Sequence, residues 1–149
     1  VVAAAVARLE DGKQTVTRAS HHHLAKHVDE HRLRAAIRAA ESGTTGKIHL
    51  TLSHPGKQST LAAAQHAFSH QRFANTQDRN GVLIFVIPER REFAVFGDAG
   101  IHDKAGQDFW ERVAAAMSEK MRSAGLTEGL IHGIDETGKE LRRHFPDPG

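Results

Sequence analysis

Apolar and polar residues alternate most sharply at Lys47 to Ser53, where Ile48, Leu50 and Leu52 are interleaved with Lys47, His49 and Thr51. A period of two puts the apolar set on one side, so this segment predicts a half-buried strand that His54-Pro55-Gly56 ends. Val82 to Ile87 is apolar at each position. Such a run is too short for a helix of its own and predicts a central strand covered on both faces. The charged turn Pro88 to Glu92 leads into Phe93 to Phe96, so these two strands are expected to pair as an antiparallel hairpin, with Gly97-Asp98-Ala99-Gly100 breaking the second.

Elsewhere the apolar positions recur at helical spacing. Leu24, Val28, Leu33, Ala36, Ile37 and Ala40 predict a first helix capped by Ser20 and stopped by Ser42-Gly43. Ser59 caps a second helix, whose narrower stripe is Leu61, Ala64, Phe68 and Phe73. A third is expected from near Lys104 to Ala124, with Phe109, Val113, Met117 and Met121 on one side and Gly125 as its stop. A fourth follows Thr127 and aligns Leu130, Ile131, Ile134, Leu141 and Phe145, while Gly138 leaves room for another backbone. Residues 1–19 read as a poorly defined leader with a short strand at Gln14 to Arg18, and residues 20–149 as one domain. Helices flanking a small mixed sheet define an α/β/α sandwich.

Composition narrows the function classes. The 149 residues fit a single core, and the absence of cysteine removes disulfides, thiolate metal sites and a cysteine nucleophile. Twenty Lys and Arg against 18 Asp and Glu give a net charge of only +2. No basic cluster is interleaved with aromatic residues, which argues against nucleic acid. The apolar start, Val1 to Ala7, is far shorter than the roughly 20 residues of a membrane span. A monomer is the expected state.

Candidate chemistry lies in the loops. Asp78, Asn80, Asp98 and Asp103 border the hairpin strands and offer the oxygen donors that a hard cation takes. In an antiparallel hairpin the start of one strand lies beside the end of the next, so Asp78, Asn80 and Asp98 are expected at one sheet edge. The plainer alternative is that these residues shape turns and cap the glycine loop. Asp135, within the fourth helix, reads first as a solvated carboxylate. Histidines repeat every four positions at His23, His27 and His31 and at His66 and His70, a spacing that can hold zinc or nickel, but the His-Glu-x-x-His pattern of a catalytic zinc site is missing and surface imidazoles are the plainer reading. No P-loop, dinucleotide fingerprint or nucleophile elbow follows a strand.

The ordered set Glu41, Thr45-Gly46, Ile48 to Leu52, Arg79-Asn80-Gly81-Val82-Leu83-Ile84 and Phe93 to Ile101 resembles the TPM-domain family, as do Phe109-Trp110, Gly129-Leu130, Gly138, Leu141 and Phe145-Pro146. That family includes a plant thylakoid-lumen acid phosphatase, a photosystem repair protein and a nematode receptor accessory protein, and the order of motifs matches its short stand-alone bacterial type. The resemblance implies an α/β/α sandwich and a divalent cation, calcium before magnesium, near Glu41, Asn80 and Asp98, and the reading of the loops adds Asp103 to that metal set. It also implies weak phosphatase activity for some members. The expected function is a cation-linked accessory or interaction module that docks a protein partner or phosphorylated ligand; the alternatives are a weak metal-assisted phosphatase, in which Asp98 or Asp78 would orient water or act as base, and a metal-free protein-interaction domain. Members are often exported or membrane-attached. One departure stands out: where the family has an acidic residue after the Thr/Ser-Gly pair, this chain has Lys47.

Overall fold

The computed structural model describes residues 3–8, 28–70 and 77–148. Chain order is β1 (Ala3–Arg8), α1 (Glu30–Glu41), β2 (Lys47–Leu52), α2 (Thr60–His70), β3 (Gly81–Ile87), a 3-10 turn (Pro88–Arg90), β4 (Glu92–Gly97), α3 (Ala99–Ala105), α4 (Gln107–Ala124) and α5 (Leu126–His144). The strands form one sheet in the order β1-β4-β3-β2, so β1 and β2 lie at its edges.

β3 and β4 pair antiparallel, with Val82 opposite Gly97, as the hairpin pattern requires. β2 runs parallel to β3, Lys47 facing Gly81, which needs a crossover, and α2 supplies it. β1 adds antiparallel to β4 from within the segment read as a leader. Its run of alanines has too little side-chain contrast to announce a strand. The strand expected at Gln14 to Arg18 lies outside the described residues.

The continuous apolar run of β3 is buried at all seven positions. Its alternate residues serve two cores. Val82, Ile84 and Val86, with Phe93 and Val95 of β4, pack beneath α1, α4 and α5 through Leu33, Trp110, Met117 and Leu130. Leu83, Phe85 and Ile87, with Ala94 and Phe96, face α2 through Ala64 and Phe68. The expected α/β/α sandwich is therefore what forms.

Helix ends follow local chemistry. α1 begins at Glu30 because Asp29 caps it, its carboxylate accepting the Arg32 amide at 3.1 Å. Val28, expected inside a helix from Ser20, is buried just ahead of that cap; Ser20, Leu24 and Phe73 lie outside the described residues. Ser59 caps α2 as anticipated, its hydroxyl accepting the Ala62 amide at 3.1 Å. The expected third helix is two helices. Asp98 starts α3 immediately after β4, and Gly106, at φ +85°, breaks the chain before α4. Gly125, at φ +101°, separates α4 from α5. Gly138 lets α5 approach α1, since a Cβ there would meet the Ala40 Cβ at 2.7 Å. Among the described residues no helix is long and apolar enough to cross a membrane.

Candidate functional site

The chain-reversing loops gather where β2 and β3 begin and β4 ends. The turn before β2 is anchored to the end of α5: the Thr44 hydroxyl donates to the Phe145 carbonyl at 2.6 Å and accepts the Gly46 amide at 3.1 Å. Next to it, Thr45 links two residues of the turn before β3. Its hydroxyl accepts from Asn80 Nδ2 at 2.9 Å and donates to Asp78 Oδ2 at 3.3 Å. Asn80 is buried, whereas Thr45 and Asp78 are exposed.

Asp98 closes the site from β4. Its amide donates to the Gly81 carbonyl at 2.9 Å, and its carboxylate is fully buried. Oδ1 accepts the Ala99 amide at 2.7 Å. Oδ2 makes no hydrogen bond of good geometry, but Arg79 Nε stands 3.0 Å away, a charge contact rather than a directional one. Arg79 sits in the left-handed region, at φ +52°, and its carbonyl accepts the Ile101 amide at 3.2 Å. Beneath this loop Gly100 has no room for a side chain: a Cβ would overlap the Asp78 carbonyl oxygen and come within 2.7 Å of that of Arg79.

The structure thus brings Asp78 and Asn80 together on Thr45 and ties Asp98 to the same loop through Arg79. Glu41 turns to the first bonds of β2, Oε2 accepting the Ile48 amide at 2.8 Å. Asp103 is exposed on α3 and Lys47 is exposed at the start of β2. Asp135 borders a separate hollow between α1 and α5, with His132, Glu136, Lys139 and Arg142. His66 and His70 stack at 4.2 Å, and His70 Nδ1 lies 3.0 Å from the His66 carbonyl. His31 is exposed; His23 and His27 lie outside the described residues.

A hard cation takes six or more oxygen ligands converging on one point. Among the described residues no three His, Asp or Glu side chains converge in that way. Glu41 is committed to a strand amide, and Asp98 already faces a guanidinium. As placed, these side chains do not fit a resident divalent cation. Thr45 and Arg79, which carry part of the family resemblance but are not among the expected site residues, organise the loop. Nothing in a polar turn's composition tells which side chain will fold inward.

His49, on β2, still touches solvent, yet desolvation holds its imidazole below the ordinary value; Glu41 pulls the other way and Lys47 adds to the lowering. The unfolded chain therefore takes up this proton first as pH falls. Stability associated with His49 is present above the ordinary histidine value and is lost as pH drops through the folded one. His49→Gln is expected to flatten the acid side of the unfolding-midpoint profile, as measured by circular dichroism between neutral and mildly acidic pH.

A two-faced α/β/α sandwich with a polar loop edge defines the class of domain. The match to the TPM domain model spans residues 21–140, and the chain belongs to that family. Among solved structures it is similar to the NMR structure of BA42 from the psychrophilic bacterium Bizionia argentinensis, with a TM-score of 0.73 and 30% identity over 90% of this chain and 86% of that one. No curated protein matches the chain significantly.

Proposed function

We propose that this TPM-domain chain is a binding module, with Thr45, Lys47, Asp78 and the outer part of Arg79 as the surface that meets a protein or phosphorylated partner. The burial of Asp98 carries this reading. A general base must come within hydrogen-bond reach of the proton it removes, and a carboxylate with no accessible surface, facing Arg79, does not meet a substrate. Asp78, the other carboxylate of the loop, accepts the Thr45 hydroxyl.

Calcium or magnesium at this edge is the competing reading. It is favoured by one observation, the hydrogen-bonded run of oxygen-bearing side chains Asp78, Thr45 and Asn80. Aryl-phosphate hydrolysis by the wild type and by Asp98→Asn, with and without magnesium or calcium, tests the catalytic alternative. Both proteins are expected to release phosphate no faster than buffer, and turnover that depends on Asp98 would overturn the module reading. Titration of labelled protein with inorganic phosphate, followed by amide shifts, then separates the two kinds of partner. Shifts centred on Lys47 and Arg79 support a phosphorylated ligand, and their absence assigns the edge to an unphosphorylated protein.

A further inference from the structure

We propose that Arg79 is the built-in counter-ion of Asp98, supplying the positive charge that a bound cation would otherwise bring, so that this loop edge is ordered without metal. The proposal concerns how the edge is held and does not depend on what it binds.

Burying a carboxylate is costly unless opposite charge and hydrogen bonds accompany it. Asp98 has no accessible surface and has two partners: the Ala99 amide on Oδ1 and Arg79 on Oδ2. The amide is a local cap, so charge compensation falls to the guanidinium. The Arg79 side chain is itself half exposed. The pair therefore straddles the protein boundary, and the guanidinium keeps much of its hydration while screening the buried oxygen.

The backbone supports the same reading. Left-handed φ is unfavourable for a residue with a long side chain and is more usual for Gly or Asn. Arg79 adopts it at φ +52° in a turn held by the Arg79 carbonyl to Ile101 amide bond and packed directly on Gly100. That arrangement fixes where the Arg79 side chain starts and sets it against Asp98. A divalent ion seeking Asp98 Oδ2 would have to displace the guanidinium and then bind next to its charge.

Thermal unfolding of the wild type, Arg79→Gln, Arg79→Lys, Asp98→Asn and the Arg79→Gln/Asp98→Asn double variant, each in chelator and in millimolar calcium, tests this. The wild-type midpoint is expected to be the same in both buffers. Arg79→Gln is expected to melt several degrees lower in chelator and to recover part of the loss in calcium, the recovery vanishing in the double variant. The losses of the two single variants should exceed that of the double, as coupled neighbours require. Arg79→Lys retains charge and reports on the pair if Arg79→Gln fails to fold; its midpoint should lie close to wild type. A calcium-dependent rise in the wild-type midpoint that disappears in Asp98→Asn would overturn the proposal, making metal the resident charge. So would an Arg79→Gln midpoint equal to wild type, or one that calcium leaves unmoved.

Discussion

Trp110→Ala is expected to lower the unfolding free energy by about 3–5 kcal/mol, the usual cost of removing a large buried aromatic ring. Trp110 has no exposed surface and lies in the core between β4 and the helical layer. Its ring fills the space above Gly97, where a Cβ would overlap Cζ2 and lie 3.0 Å from Cε2. Phe109 meets it edge-on, with centroids 5.0 Å apart. Alanine would open a cavity directly against Gly97, the last residue of β4 before Asp98. The indole Nε1 has no hydrogen-bond partner, so the ring contributes by packing rather than by a polar link. Trp110→Phe should therefore lose much less than Trp110→Ala. Urea denaturation checks both: the midpoint should fall with an unchanged slope. Equal losses for the two variants would mean that the indole N–H, not ring volume, is what matters.

Gly100→Ala should cost at least about 3 kcal/mol, the upper end of overpacking penalties. A methyl group there meets carbonyl oxygens of Asp78 and Arg79, which belong to backbone and have no alternative rotamer. The turn before β3 would have to lift from α3, straining the Ile101 to Arg79 bond and the Arg79–Asp98 contact together. Gly56→Ala is the control, because a Cβ at Gly56 meets nothing within 4 Å. Chemical denaturation that places Gly100→Ala alongside the Gly56→Ala control would show that the turn yields freely and is not clamped.

Much of this fold is readable in side-chain order. Val82 to Ile87 announces a central strand because burial on both faces leaves no polar position, and Phe93 to Phe96 follows it too closely to pair in any way but antiparallel. The break inside the expected third helix is harder to see. Gly106 looks like an ordinary helical glycine until its positive φ is known, and Asp98 looks like part of a loop until its carboxylate is seen accepting the Ala99 amide. β1 is hidden because alanine contrasts poorly with its neighbours in either period. For the site, topology brings Asn80 and Asp98 to one edge, since strand pairing alone requires it. Glu41 and Arg79 differ in kind: their partners, the Ile48 amide and the Asp98 carboxylate, depend on side-chain direction that spacing does not encode.

The position of β2 at the rim of the sheet has a consequence for how copies of this chain meet. An open strand invites another to add to it, and natural sheets discourage this with lysine and other hydrophilic side chains at the rim. Lys47 and His49, both exposed on β2, fill that role here. Lys47 thus also sets a charge at the rim of the described sheet, where strand-to-strand association between copies would begin.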